Sequence, residues 1–272
     1  MKRLLMALMA VVVVCGTASA WAKLGHATVA KIAEQNLTPK AKKCLTKYLD
    51  GKSIVHYASH ADYYKSEWLV DVGFDPSNAK RVVSYSHTFC VDDDCRVAKT
   101  FRDGDKFMKN CVYFADQKIA ELKEHHRDMD DSERLIAIAL IVHWLGDMHC
   151  PAHIRYPDND SAGKYTVYYK NKKTTMHELW DLGLIDDRHP WSFTDFAALL
   201  DTFDKKQIAE VTAGTIYDWG RESAIASRHI HNVKEGEKLK RLAWMNANSE
   251  LLESQLRKAG YRLAAVLNDI FK

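Results

Sequence analysis

Residues 132–153 read SERLIAIALIVHWLGDMHCPAH, an apolar run that ends in a cluster of histidines around an aspartate. The run opens as a helix does, because Asp131 and Ser132 precede Glu133 in the manner of a capped N-terminus. An uninterrupted apolar stretch, Leu135–Val142, follows. The pattern predicts a helix over Ser132–Met148, and similar helical periodicity recurs through most of the chain. The sequence therefore predicts a mainly α fold.

The polar end of this helix predicts a site. His143 and Asp147 are four residues apart, so on a helix they share one face. Polar groups at the end of an apolar helix are costly unless they are paired or bind a metal. Pro151 ends the helix and lets His153 turn back toward the same volume.

Seven further segments carry helical periodicity and one region resembles strands. The predicted helices span about His26–Asn36, Pro39–Leu49, Lys106–His125, Thr175–Leu184, Phe193–Leu200, Lys205–Ser227 and Glu235–Phe271, the last with a break near Gly260. A strand at Tyr165–Lys170 is predicted to pair through Asn171 with Lys172–Thr175, giving a small β-hairpin. No repeat or flexible linker divides the chain, which indicates a single domain over residues 21–272.

A second cluster, His177-Glu-Leu-Trp-Asp181, repeats the four-residue spacing of histidine and aspartate. Imidazole nitrogen and carboxylate oxygen at this spacing suit Zn²⁺. One such pair is equally typical of an ordinary hydrogen-bonded pair on a helix. Two pairs, together with His153 and the N-terminal Trp21…His26, are more specific.

The first 20 residues have the pattern of a signal peptide. Lys2 and Arg3 precede a short apolar run, Leu4–Val14, and Ala18-Ser-Ala20 fits the processing site. The run is shorter than the roughly 20 residues that span a bilayer, so we expect a secreted or periplasmic protein without stable membrane association. An uncleaved membrane anchor is the alternative. Cleavage would free the α-amino group of Trp21, whose amine and carbonyl can chelate a metal together with His26.

Charge and cysteine content exclude several classes. The net charge is +3, and removal of Lys2 and Arg3 lowers it to +1, which excludes a basic protein that coats duplex nucleic acid. Five cysteines remain after cleavage. Cys90 and Cys95 bracket a short acidic loop and are the best candidates for a disulfide. The absence of CxxC spacing argues against a thiolate zinc site.

Together these residues resemble the zinc-dependent single-strand-specific nucleases and 3′-nucleotidases, which are related to the bacterial zinc-dependent phospholipases C. The resemblance implies the multi-helix fold of those proteins and three zinc ions. It implies a first ion bound by Asp62, His87, His143 and Asp147, a second bound by His153, His177 and Asp181, and a third bound by Trp21 and His26 with Asp147 as a bridge.

The activity implied by the resemblance is hydrolysis of single-stranded DNA or RNA to 5′-phosphate products, and removal of 3′-phosphates from nucleotides, by a zinc-activated water. Asp62 and Lys65 are the implied catalytic residues: Asp62 orients the water and Lys65 neutralises the phosphate. His149 is expected to orient a metal ligand, and the protein is expected to act as a monomer.

Two positions depart from the family's pattern. Thr88 and Cys90 stand where the family often has an aromatic residue and an aspartate, so we expect Phe89 to take the base-stacking role. Lys164 stands where an asparagine of the family would contact the base, and we expect it to bind substrate. The metal chemistry survives both departures, whereas base preference does not follow from the sequence.

Two other functions fit the sequence. A zinc-dependent phospholipase C shares the N-terminal tryptophan and the three zincs, but its last metal ligand is usually glutamate, where this chain has Asp181. A non-catalytic zinc-binding exported protein would bind the metal without turnover.

Overall fold

The computed structural model describes residues 21–63, 87–100, 102–103, 106–107, 109–157 and 165–272. The predicted signal peptide, Lys65, Lys164 and most of the acidic loop region lie outside the described residues. The described chain is built from helices, with sheets of two or three short strands, which confirms the mainly α prediction.

The elements follow one another along the chain with short connections. The helices are α1 Lys23–Gln35, α2 Pro39–Tyr48, α3 Ile54–Tyr57, α4 His60–Tyr63, α5 Cys111–His125, α6 Asp131–Asp147, α7 Met176–Glu178, α8 Leu184–Arg188, α9 Phe193–Leu200, α10 Lys205–Val211, α11 Ile216–Ser227 and α12 Arg241–Ile270. The strands are β1 Phe89–Cys90, β2 Arg102–Asp103, β3 Lys106–Phe107, β4 Ile154–Arg155, β5 Thr166–Tyr169, β6 Lys172–Thr175 and β7 Glu237–Lys238.

Helix α6 is the centre of the fold. Its N-cap is Asp130, whose carboxylate accepts hydrogen bonds from the amides of Ser132 and Glu133 and so satisfies two N-terminal donors. Every residue from Ile136 to Asp147 is buried, which explains the apolar run. Burial of an apolar side chain of this size stabilises a fold by about 1.5–3 kcal/mol. The polar residues His143 and Asp147 are thereby held at the inner end of a fixed helix.

Helix α12 is continuous, so the predicted break near Gly260 is wrong. Gly260 lies inside the helix and faces Ile32 of α1; a Cβ there would stand 2.5 Å from Ile32 Cγ2. The glycine therefore allows α1 and α12 to approach closely. The predicted helix over Lys205–Ser227 is instead two helices, because Gly214 between them has a φ of +86°.

The predicted hairpin is confirmed. Strands β5 and β6 pair antiparallel, and the turn residues Lys170 and Asn171 have φ values of +51° and +60°, as in a two-residue hairpin turn. Strand β7 adds a parallel third strand beside β5. The predicted start of the Lys106–His125 helix is late by five residues, because β3 occupies Lys106–Phe107 and α5 begins at Cys111.

The five cysteines of the described chain are free thiols, so the predicted Cys90–Cys95 disulfide is not formed in this structure. The Cys90 thiol donates to the carbonyl of Lys109, with Sγ and O 3.5 Å apart. Cys95 Sγ instead lies 3.8 Å from Nη1 of Arg228. The two side chains thus have different partners. Among the described helices, none has the length and apolar character needed to cross a membrane.

Candidate metal centre

The predicted metal ligands converge from five separate parts of the chain. Helix α1 supplies His26, α4 supplies Asp62, and the segment before β1 supplies His87. The end of α6 and the following 3₁₀ turn, Pro151–His153, supply His143, Asp147 and His153. A π-helical turn, Leu179–Gly183, joins α7 to α8 and carries Asp181. Such turns are frequent at functional sites.

The carboxylate of Asp147 lies at the middle of this centre. Its Oδ2 is 3.1 Å from His87 Nδ1 and 3.1 Å from His143 Nε2. Its Oδ1 faces the other way and is 3.4 Å from His26 Nε2. One carboxylate therefore faces two groups of imidazoles, which is the arrangement of a bridging ligand.

The Asp62 carboxylate completes the same two groups. Its Oδ1 is 3.5 Å from His143 Nε2 and 3.6 Å from His87 Nδ1, and its Oδ2 is 3.6 Å from His26 Nε2. The ring of His26 stacks on that of His143 at a centroid distance of 4.1 Å. The residues predicted for the first ion are thus brought together, with His26 beside them.

His153, His177 and Asp181 form a second group. The two Nε2 atoms of His153 and His177 are 2.8 Å apart, and the Asp181 carboxylate lies 3.6 Å from the first and 3.0 Å from the second. Two ligand atoms on a tetrahedral zinc with bonds of about 2.0 Å are separated by about 3.3 Å. The second predicted set is therefore also brought together.

The segment that begins at Trp21 is fixed against both groups. The Trp21 indole is completely buried and donates to the Gly146 carbonyl over 2.8 Å. The amide of Ala22 donates to the Asp181 carbonyl over 3.0 Å, and the Trp21 carbonyl accepts from the His26 amide. These contacts place the backbone of Trp21 beside His26, as the prediction requires.

Burial and charge pairing set the electrostatics. Burial alone lowers the pKa of His143, but Asp147 and Asp62 outweigh it and raise that pKa well above its ordinary value. Burial alone raises the pKa of Asp147, but His143 and three hydrogen bonds hold it well below its usual range. The same opposition raises the pKa of His177 and lowers that of Asp181. The carboxylates stay ionised, so the centre attracts cations.

Several buried polar atoms of the centre have no hydrogen-bond partner. They are His26 Nδ1 and Nε2, Asp62 Oδ2, Asp147 Oδ1, His153 Nδ1 and Asp181 Oδ2. An unsatisfied buried polar atom costs about 1–3 kcal/mol, and folded proteins contain few of them. A concentration of carboxylate and imidazole orphans fits bound divalent cations, which would complete the coordination of these atoms. The residues present therefore fit a metal centre.

Comparison with known proteins identifies the family. Residues 21–272 match the family described as S1/P1 nuclease. The chain belongs to the S1/P1 nuclease family. It is similar to endonuclease 4 of Arabidopsis thaliana, with 23% identity over 280 residues that cover 92% of this chain and 89% of the relative. It is also similar to nuclease S1 of Aspergillus oryzae, with 25% identity over 169 residues, 61% of this chain and 55% of the relative. The protein is thus a hydrolase that cleaves ester bonds in nucleic acids.

Two expectations for this nuclease are corrected by the structure. Phe89 is completely buried in the core and pairs in β1 with Ile154, so it offers no face for a base to stack on. His149 is also buried, but one ring nitrogen lies 2.7 Å from the Leu145 carbonyl and the other accepts from Arg262 over 2.9 Å. Both nitrogens are used away from the metal ligands, so His149 stabilises packing between α6 and α12.

Sequence reasoning missed two residues of the centre. A Cβ at Gly146 would stand 2.7 Å from His26 Nδ1, so only glycine leaves room for that ring. The glycine in His143-x-x-Gly146-Asp147 was the available signal. Cys150 is buried with its Sγ 3.3 Å from Asp181 Oδ1. Its position three residues before His153 was the signal for it.

Proposed function

We propose that this nuclease binds three zinc ions, hydrolyses single-stranded DNA and RNA to 5′-phosphate products, and removes 3′-phosphates from nucleotides. The single observation that carries the proposal is the Asp147 carboxylate, which faces imidazoles on both of its sides. A buried carboxylate so placed is suited to bridging two ions.

The proposed ligand sets follow the contacts. The first is Asp62, His87, His143 and Asp147; the second is His153, His177 and Asp181; the third is the Trp21 amine and carbonyl with His26 and Asp147. Each set combines imidazole with oxygen donors, the combination that zinc accepts. Bound zinc supplies a Lewis acid for phosphate oxygens and a nucleophilic water at neutral pH.

The protein's own contribution to the chemistry is orientation and charge. Asp62 is buried beside His143 and His87, so its carboxylate is fixed in position and can accept a hydrogen bond from the attacking water. Lys65 follows three residues later and is proposed to neutralise the phosphate. Three divalent ions outweigh three carboxylates, so the loaded centre attracts phosphate although the chain is nearly neutral.

The proposed location is the periplasm or the extracellular medium, with a monomer starting at Trp21 as the mature form. An α-amino group at Trp21 is a metal donor, whereas an amide nitrogen in an uncleaved chain is a very poor one. Residues 1–20 carry the processing pattern that would generate this terminus.

The test uses the purified chain that begins at Trp21, loaded with zinc. It should release nucleotides with 5′-phosphates from single-stranded DNA and RNA, and phosphate from 3′-AMP. Asp62→Asn should lower these rates by about 10²-fold or more, whereas Asp94→Asn, on an exposed loop, should leave them unchanged. Release of phosphocholine from lecithin without nucleotide products would overturn the proposal in favour of a phospholipase C. Zinc binding without any turnover would overturn it in favour of a non-catalytic metal-binding protein.

A further inference from the structure

Cys150 is a buried thiol that the proposed chemistry does not use. It lies between Asp147 and His153 in sequence, at the start of the 3₁₀ turn that carries His153. Its side chain is completely buried, and Sγ is 3.3 Å from Asp181 Oδ1. Ligand atoms of Cys150, His153 and Asp181 all lie within 4.8 Å of one another. The thiol therefore stands at the second group of metal ligands.

Independent contacts show that this volume suits a cation. Asp181 Oδ2 is buried without a hydrogen-bond partner. The Nε2 atoms of His153 and His177 face each other at 2.8 Å. At most one of the two can be protonated while both rings are neutral, and a metal ion would use both lone pairs. Sulfur, two imidazole nitrogens and a carboxylate oxygen thus surround one small space.

We infer that Cys150 is a ligand of the ion held by His153, His177 and Asp181, an inference that rests on the proposed zinc centre. On binding, the thiol releases its proton and the sulfur donates a lone pair to the metal; no electron is transferred. Four protein donors would then fill a tetrahedral zinc site, whereas catalytic zinc sites keep a position open. A thiolate also favours Zn²⁺ and Cd²⁺ over Mg²⁺ and Mn²⁺. This ion is therefore the one held most tightly and most selectively.

The decisive experiment replaces zinc with Co²⁺ in the chain that begins at Trp21 and records the near-ultraviolet spectrum. Sulfur coordination gives a thiolate-to-cobalt charge-transfer band. The band should be present in the wild-type protein and in Cys95→Ser, a buried thiol placed beside Arg228, and absent from Cys150→Ser. Cys111→Ser is the second control, because Cys111 is the other fully buried thiol near Asp147.

Several outcomes would overturn the inference. A cobalt-loaded, active enzyme without the band would leave Cys150 as a hydrogen-bond donor to Asp181, while the proposed function stands. A band that survives Cys150→Ser and disappears in Cys111→Ser would assign the sulfur to the other group. Failure to bind any cobalt would overturn both this inference and the proposed centre.

Metal release gives a second readout that does not depend on colour. With excess chelator, Cys150→Ser should lose its most slowly released zinc at least about tenfold faster than the wild type, since even outer partners of a metal site change affinity by about 10–100-fold. Cys95→Ser should follow the wild type. Equal release from Cys150→Ser and the wild type would contradict sulfur coordination.

Discussion

At the scale of single residues, Asp147 presents one carboxylate oxygen to His26 and the other to His87 and His143. Asp181 contacts only the second group. Asp147→Asn should therefore remove two zinc ions per chain and lower hydrolysis of single-stranded DNA by about 10²-fold or more, whereas Asp181→Asn should remove one ion. Elemental analysis of the dialysed proteins measures the difference. Equal zinc loss in the two variants would show that Asp147 is not shared.

Gly146 belongs to the same scale, because the space it leaves is filled by His26. Gly146→Ala places a Cβ 2.7 Å from His26 Nδ1. The ring must move, so we expect loss of the ion that it binds and a free energy of unfolding lower by about 1–3 kcal/mol. Zinc content and urea unfolding check the two effects. A variant that keeps the full zinc complement would contradict the placement of His26.

At the scale of elements, the contact between α1 and α12 depends on Gly260. Gly260→Ala places a Cβ 2.5 Å from Ile32 Cγ2. Two helices must separate, so the free energy of unfolding should fall by about 1–3 kcal/mol while the zinc content stays unchanged. The variant is thus the matched control for Gly146→Ala. If urea unfolding instead showed a gain of about 1 kcal/mol, the ordinary advantage of alanine in helices, the close contact would be wrong.

The junction of α8, α9 and α12 carries a pH-sensitive group. His189 is buried, stacks on Phe196 at 3.7 Å and lies 3.1 Å from Glu253 Oε1. Burial lowers its pKa from the ordinary 6.5, against the opposing effect of Glu253. The unfolded chain therefore takes up a proton at a higher pH than the folded chain. Stability is lost as the pH falls below 6.5, by at most about 1.4 kcal/mol per pH unit until the folded group also titrates.

Comparison of zinc-loaded wild type with His189→Gln isolates this effect. The free energy of unfolding in urea, measured at about pH 7 and about pH 5.5, should fall less in the variant than in the wild type. Glutamine keeps a polar side chain at the position and does not titrate. Parallel losses in the two proteins would exclude His189 as the source.

At the scale of the whole molecule, the sequence predicted what depends on local spacing. The pairs His143 with Asp147 and His177 with Asp181 follow from helical periodicity, and the burial of α6 follows from its apolar run. Contacts between distant segments were not predictable in the same way. Gly260 appeared to be a helix break because its partner Ile32 is more than 200 residues away. Phe89 was taken for a stacking residue because burial by β4 and α11 is not visible in a motif.

The whole centre depends on a chain that starts at Trp21, whose indole and backbone are fixed to Gly146, Asp181 and His26. The most direct measurement is anomalous diffraction at the zinc absorption edge from crystals of that form. The account predicts three zinc peaks, with Asp147 between two of them and the Trp21 amine bound to one. Fewer than three peaks, or a third peak that persists unchanged when one residue is left before Trp21, would contradict it.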